Sequence, residues 1–174
     1  KADYYVFINT DVEVTSNWLN PLFNKMESNS NIGACQPKIL SEKNKNYFEY
    51  AGASGGYIDF LGYPYCRGRI FDTIEKDYGQ YNEEKEVFWT SGSCMIIQSS
   101  LFHKLNGFDK DFFAHMEEID LCWRIKRKGF INYCIPKSVI YHIGGETLSY
   151  LNPKKTYLNF RNNLIMISKN DRFI

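Results

Sequence analysis

The aromatic and β-branched run Tyr4-Tyr5-Val6-Phe7-Ile8 breaks off in the polar turn Asn9-Thr10-Asp11, and this junction constrains the fold more than any other stretch. Five such residues in succession read as a buried strand of an α/β sheet. A carboxylate directly after a strand lies at the strand's C-terminal edge, where open α/β sheets build their ligand crevices. Asp11 is therefore placed to hold a divalent cation, Mg2+ or Mn2+ by the hardness of oxygen ligands. The plainer reading of an Asp in a turn is an Asx-turn or a helix cap.

The rest of the chain alternates between the two periodicities. Thr15-Ser16-Asn17 is an N-cap region for a helix over 17–28, with Trp18, Leu19, Leu22, Phe23 and Met26 on one face. Pro37 makes the following strand, 32–40, an edge or a short broken one. Residues 41–86 are rich in Lys, Glu, Asn, Gly and Tyr and carry turn signals at Gly55-Gly56, Gly62, Pro64 and Gly68. They read as a loop and hairpin excursion over one face.

Strand character returns at Val87-Phe88-Trp89 and over 93–97, and a short helix over 100–105 stops at Asn106-Gly107. A helix over 117–128 ends at Gly129, strands follow near 131–135 and 138–142, and Pro153 opens a final helix to 169 with a broad apolar face. The alternation predicts one mixed α/β domain over residues 1–174.

Composition narrows the partners. A net charge of +1 with scattered basic residues argues against nucleic acid, and Arg124-Ile125-Lys126-Arg127-Lys128 reads as the basic later turns of the 117–128 helix. Cys35, Cys66, Cys94, Cys122 and Cys134 form no C-x-x-C pair, so they are expected to be small buried residues of a reducing compartment rather than a zinc site or a disulfide framework. No apolar run approaches the roughly 20 residues of a membrane span.

A cytoplasmic location is expected. Lys154, Lys155, Arg161 and Lys169 on the final helix would suit peripheral docking at the anionic inner face of a plasma membrane, and an exposed polar face explains them equally well.

The chemistry concentrates in Met116-Glu117-Glu118-Ile119-Asp120-Leu121, where three carboxylates fall within four residues at a helix start. Acids there gain roughly 0.3–1 kcal/mol each from the helix dipole. Grouped carboxylates can also bind a hydroxyl and serve as a general base. Glu117, Asp120, Arg124 and Arg127 fall within about 80° of helix surface, so an ion-pair ladder is the favoured reading of Asp120 with Arg124. His142 follows a β-branched strand and precedes Gly144-Gly145, which puts it at a strand end near the same edge as Asp11; the plain alternative is a partly buried, satisfied histidine.

Five motifs occur in a fixed order: strand–Asn9-x-Asp11, Trp89-Thr90-Ser91-Gly92-Ser93, Gly107-Phe108-Asp109-x-x-Phe112-Phe113, Glu117-Glu118-x-Asp120-Leu121-x-Trp123-Arg124, and His142-x-x-Gly145-x-Thr147. In this the chain resembles glycosyltransferase family 2, above all its bacterial rhamnosyltransferase-like members that build surface polysaccharides. The resemblance implies a partial GT-A (nucleotide-diphospho-sugar transferase) fold, a mixed sheet flanked by helices, of which this chain is the C-terminal part and the N-terminal nucleotide-binding half is missing.

It implies that Asp11 binds the metal, with Asn9 in the first position of an Asp-x-Asp type motif and able to bond a sugar or ribose hydroxyl. His142 would complete the metal and diphosphate site. Glu118 inherits the role of catalytic base, one methylene longer than the family's Asp. Trp89, Ser91, Gly92 and Phe113 would line the acceptor pocket, with Glu117 positioning the acceptor and Asp120 as a further substrate-binding candidate.

The implied reaction is inverting transfer from a nucleotide-sugar donor to a saccharide or lipid-linked acceptor. Glu118 would be ionised above a pKa of about 4.3 in water. Neighbouring acids and burial should raise that value, while the helix N-terminus opposes the rise.

A fragment lacking its donor half is expected to be inactive alone, and to associate with itself through the sheet edge and apolar face so exposed. Two rival classes remain: a sugar nucleotidyltransferase, which needs a Gly-rich phosphate loop and a Lys upstream, and a non-catalytic carbohydrate-binding or assembly module, for which Asn9 and Glu118 are the marks of a degenerate site.

Overall fold

The structure, a computed structural model, describes residues 2–49, 52–144 and 153–170. Strands β1 (Tyr4–Ile8) and β2 (Val12–Val14) flank the Asp11 turn, and α1 (Leu19–Ser28) leads into the long strand β3 (Ile32–Ser41). Four short strands follow, β4 (Gly56–Ile58), β5 (Pro64–Cys66), β6 (Arg69–Ile70) and β7 (Thr73–Ile74), then β8 (Lys85–Val87) and β9 (Cys94–Gln98). The chain continues through α2 (Ser99–Lys104), a single 3-10 turn at Lys110–Phe112, α3 (Glu117–Arg127), β10 (Ile131–His142) and α4 (Pro153–Asn170).

The main sheet is six-stranded and mixed, in the order β1-β9-β3-β10-β2, with β8 also paired to β10. Only β3 and β10 run parallel; every other pairing is antiparallel. Successive side chains of a strand face opposite ways, and the core divides accordingly. Cys35 and Ile96 pack with Leu22 and Met26 of α1 on one face. Ala34, Met95 and Ile97 pack with Leu101, Leu121 and Ile125 on the other.

Gly33 sets how closely α3 approaches this second face, because a Cβ there would stand 2.5 Å from the Ile125 side chain. All five cysteines are free and buried.

Four expectations need correcting. β3 is an interior strand rather than an edge or broken one. It tolerates Pro37 because β9 covers only Ala34 and Cys35, so that at Pro37 the ladder runs on to β10 alone. The strands near 131–135 and 138–142 are one strand, β10, with the second of its two register shifts against β3 falling between Ile135 and Val139, across Pro136.

β1 is not buried. Among the described residues it pairs with β9 alone, and Val6 and Ile8 are 39% and 43% exposed. α1 begins at Leu19 without a side-chain cap, because the cap position is Trp18, whose indole has no acceptor oxygen, and Asn17 before it is left-handed at φ 59°. Within 41–86, β4 to β7 form an antiparallel meander of their own, while β8 joins the main sheet.

Candidate active site

Asp11 and His142 meet because β2 and β10 pair antiparallel, with Val12 opposite His142. The Ile143 amide also donates to the Asp11 carbonyl at 3.1 Å. Nε2 of the 6%-exposed His142 lies 3.2 Å from Oδ1 of Asp11, and Nδ1 lies 3.5 Å from Oε1 of the buried Glu49. Burial lowers the pKa of His142, but the Glu49 and then the Asp11 carboxylates outweigh it, so the net shift is upward.

Two neighbouring ligands of an octahedral Mg2+ at 2.0–2.1 Å stand about 3 Å apart. The Asp11–His142 pair has that spacing, so the two side chains could serve as two ligands of one divalent ion. Glu49 faces the opposite ring nitrogen and so orients the imidazole. Among the described residues no group of three His, Cys, Asp or Glu could hold a metal by itself, and a diphosphate would have to supply further oxygens. Gly145 and Thr147 of the His142 motif lie outside the described residues.

Glu117 and Glu118 open α3 and face a cleft of about 590 Å3 shared with Asn9, Trp89, Ser91, Gly92 and His142. Gly92 is in close contact with the base candidate: a Cβ there would lie 3.5–3.6 Å from Cβ, Cγ and Cδ of Glu118. The Glu118 carboxyl is pushed up to about 7, by burial first and the Glu117 charge second, while the Gly92 and Ile119 amides pull the other way. Burial also raises Glu117, whose Oε2 is buried and has no hydrogen-bond partner among the described residues.

A second cleft opens on the other side of the pair, lined by Phe7, Ile8, Phe108 and Phe113 and sharing Asn9, Gly92, Glu117 and Glu118 with the first. Glu118 therefore stands where two clefts meet.

Three candidates sit differently from the sequence expectation. Asp120, a candidate for binding substrate, is 1% exposed and lines neither cleft. It accepts from Arg124 Nε at 2.8 Å and from Asn170 Nδ2 at 2.6 Å, while Arg124 reaches on to the carbonyls of Leu105 and Gly107. It shares a face of α3 with Arg124, one turn on, and that face is packed against Asn170 of α4.

Phe113 lines the second cleft and not the one with Trp89 and Ser91, because its backbone is left-handed at φ 65° and sends a 75%-exposed ring outward. Trp89 is 6% exposed, donates Nε1–H to the Tyr57 carbonyl at 2.9 Å and lies against Gly56, so only part of it borders the cleft.

Sequence reasoning missed Glu49 and Arg69 and read Lys155 only as a membrane-docking or exposed cation, whereas all three line the main cleft. Glu49 and Arg69 fall in the irregular 41–86 segment, where no periodicity singles out a residue. Lys155 is lowered by burial first and by the nearby Arg69 cation, against the pull of Glu49. A cation in the first turn of a helix opposes the helix dipole, and that misplacement was a signal the sequence did carry.

The structure superposes on GalNAc-T7, crystallised with UDP, GalNAc and Mn2+, at a TM-score of 0.63 and 16% identity, over 95% of this chain and 31% of that one. This is a GT-A glycosyltransferase fold. No family model matches the chain.

The GT-A chain is 26% identical over 167 residues to the N-acetylglucosaminyl-diphospho-decaprenol L-rhamnosyltransferase of Mycobacterium tuberculosis, covering 90% of this chain and 54% of that protein. It is 24% identical over 159 residues to the low-salt glycan biosynthesis hexosyltransferase Agl10 of Haloferax volcanii, covering 91% and 48%. It thus resembles the rhamnosyltransferase-like members of glycosyltransferase family 2, and it spans about half the length of these curated relatives. Among the described residues no helix of this GT-A portion is long and apolar enough to cross a membrane.

Proposed function

We propose that the chain is the metal- and acceptor-binding portion of an inverting glycosyltransferase, acting from a nucleotide-sugar donor on a saccharide or lipid-linked acceptor in surface polysaccharide synthesis. The observation that carries this reading is the placement of Glu118: a partly buried carboxylate, raised in pKa, against the Gly92 backbone and between two clefts.

Glu118 accepts the proton of an acceptor hydroxyl as its oxygen attacks the anomeric carbon, and the bond to the diphosphate breaks with its electron pair leaving on the diphosphate. Asp11 and His142 would hold a divalent cation, which supplies positive charge to that leaving group. Glu117 accepts a hydrogen bond from the acceptor, and Asn9, common to both clefts, binds a hydroxyl at their junction.

A lipid-diphosphate acceptor suits the main cleft, where Arg69 and Lys155 offer positive charge and Tyr65 and Phe160 offer apolar faces. The half-exposed edge of β1 is where a further strand would pair, from the rest of the parent protein or from a second copy. Peripheral attachment to a membrane would bring a lipid-linked acceptor within reach.

The test uses the full-length protein, a nucleotide-rhamnose donor and an N-acetylglucosaminyl-diphospho-prenol analogue. Glu118→Gln should abolish transfer while the protein stays folded. Unchanged turnover would eliminate Glu118 as the base.

A further inference from the structure

The helix that carries the acid pair starts from an unusual piece of backbone. Phe113, His115 and Met116, none of them glycine, have φ of 65°, 69° and 73°. At Phe113 ψ is −58°, and the Ala114 amide donates to the Phe112 carbonyl at 2.8 Å. That is a γ-turn of the positive-φ kind, which is rare and strained. Met116, the residue before α3, is left-handed and contributes no side-chain cap. Strain of this sort persists only where its surroundings hold it.

The restraint comes from α4. Asn162 is fully buried, and its Nδ2 donates to the carbonyls of Phe112, Ala114 and His115 at 3.0, 2.7 and 2.7 Å. Its Oδ1 accepts from Arg161 Nε at 2.9 Å, and Arg161 Nη2 donates to the carbonyls of Asp111 and Phe112 at 3.0 and 2.8 Å. Two adjacent side chains thereby satisfy four carbonyls of one turn. Asn is a poor helix former, so its place in the middle of an 18-residue helix answers a need of the turn and not of the helix. Its neighbours Asn159 and Asn163 line the main cleft, whereas Asn162 lines neither cleft.

We propose that Asn162, braced by Arg161, is a positioning residue for the catalytic base: it holds the 112–116 turn in the strained form that sets Glu118 against Gly92 between the two clefts. The inference rests on Glu118 being that base. Because Asn162 lines neither cleft, its removal acts through the turn. An error of an ångström in the placement of a reacting group costs about 100-fold in rate.

The full-length protein carrying Asn162→Asp, which keeps the volume and removes the donors, tests this by two readouts. Amide exchange over residues 114–119 should speed up by about tenfold while β9 stays as protected as before. In the rhamnose-transfer assay above, kcat should fall about 100-fold with the acceptor KM within about threefold, and the acid limb of the pH profile should move. A change that only loosens the fold would leave kcat at a permissive temperature, and that limb, where they were.

Unchanged exchange, or unchanged kcat beside an inactive Glu118→Gln, overturns the positioning role. Full activity of Glu118→Gln removes the base reading itself, and the exchange result still decides whether Asn162 holds the turn. Should Asn162→Asp not fold, Arg161→Gln at its half-buried site removes two of the carbonyl bonds and should lower kcat about tenfold; unchanged kcat there also overturns the proposal.

Discussion

Nε2 of His142 lies 3.2 Å from Oδ1 of Asp11, across the pairing of β2 with β10. If the two share a divalent ion, Asp11→Asn in the full-length protein removes an anionic ligand, and turnover should fall about 100-fold. Glu49→Gln, on the far side of the imidazole, should weaken metal affinity by about 10–100-fold. Calorimetric titration of Mn2+ in the presence of a nucleoside diphosphate checks both, and wild-type affinity in Asp11→Asn would remove Asp11 from the ligand set.

A base that works only when ionised gives kcat/KM a rising limb, and with Glu118 pushed up to about 7 that limb should be centred near neutrality. A pH–rate profile from 5 to 9 reads it directly. Glu118→Gln should remove the limb together with the activity.

The same shift makes a statement about stability. Between the ordinary pKa and about 7 the folded protein holds a proton on Glu118 that the unfolded chain has lost. By linkage, this group's contribution to stability therefore declines as pH rises through that window. Glu118→Gln, which cannot ionise, should melt at a higher temperature than wild type at pH 8 and at nearly the same temperature at pH 4, by differential scanning calorimetry.

Two glycines should respond oppositely to alanine. At Gly92 the added methyl meets Glu118 at ordinary contact distance, so the fold should tolerate it while both clefts narrow at their junction. At Gly56 the methyl would fall 1.9–2.4 Å from the Trp89 ring. Overpacking of that kind costs about 1–3 kcal/mol. Denaturant unfolding of the two variants separates these outcomes.

Arg124→Met leaves the 1%-exposed Asp120 without its cation, a loss of about 3–5 kcal/mol for a buried pair broken from one side. Urea titration measures it. Acceptor KM in the surviving folded protein should not change, because Asp120 borders neither cleft.

Local signals carried much of this arrangement. The Asn9-Thr10-Asp11 turn, the acid block and His142 could be placed at element ends because polar residues interrupt apolar periodicity there. The structure brings Asp11, His142, Glu118 and Gly92 toward one region through pairings between distant strands. Pro37 misled because the penalty for proline depends on whether a neighbouring strand is present, and β9 stops two residues short of it. Glu49 and Arg69 were invisible because their positions come from a meander whose register no hydrophobic pattern sets. Asn162 was hidden by the apolar stripe of its helix, although adjacent asparagines inside such a stripe are a conflict worth reading.

The pairing of Val12 with His142 also orders events in time. Asp11 lies close to one end of this chain, while the strand that completes its surroundings is synthesised last among those of the main sheet, and contacts of such long separation form slowly. On the ribosome, β1 and the Asp11 turn must wait for β9 and then β10 to emerge. The Asp11–His142 contact should accordingly be among the last parts to form, and a nascent chain halted before His142 should show no trace of it.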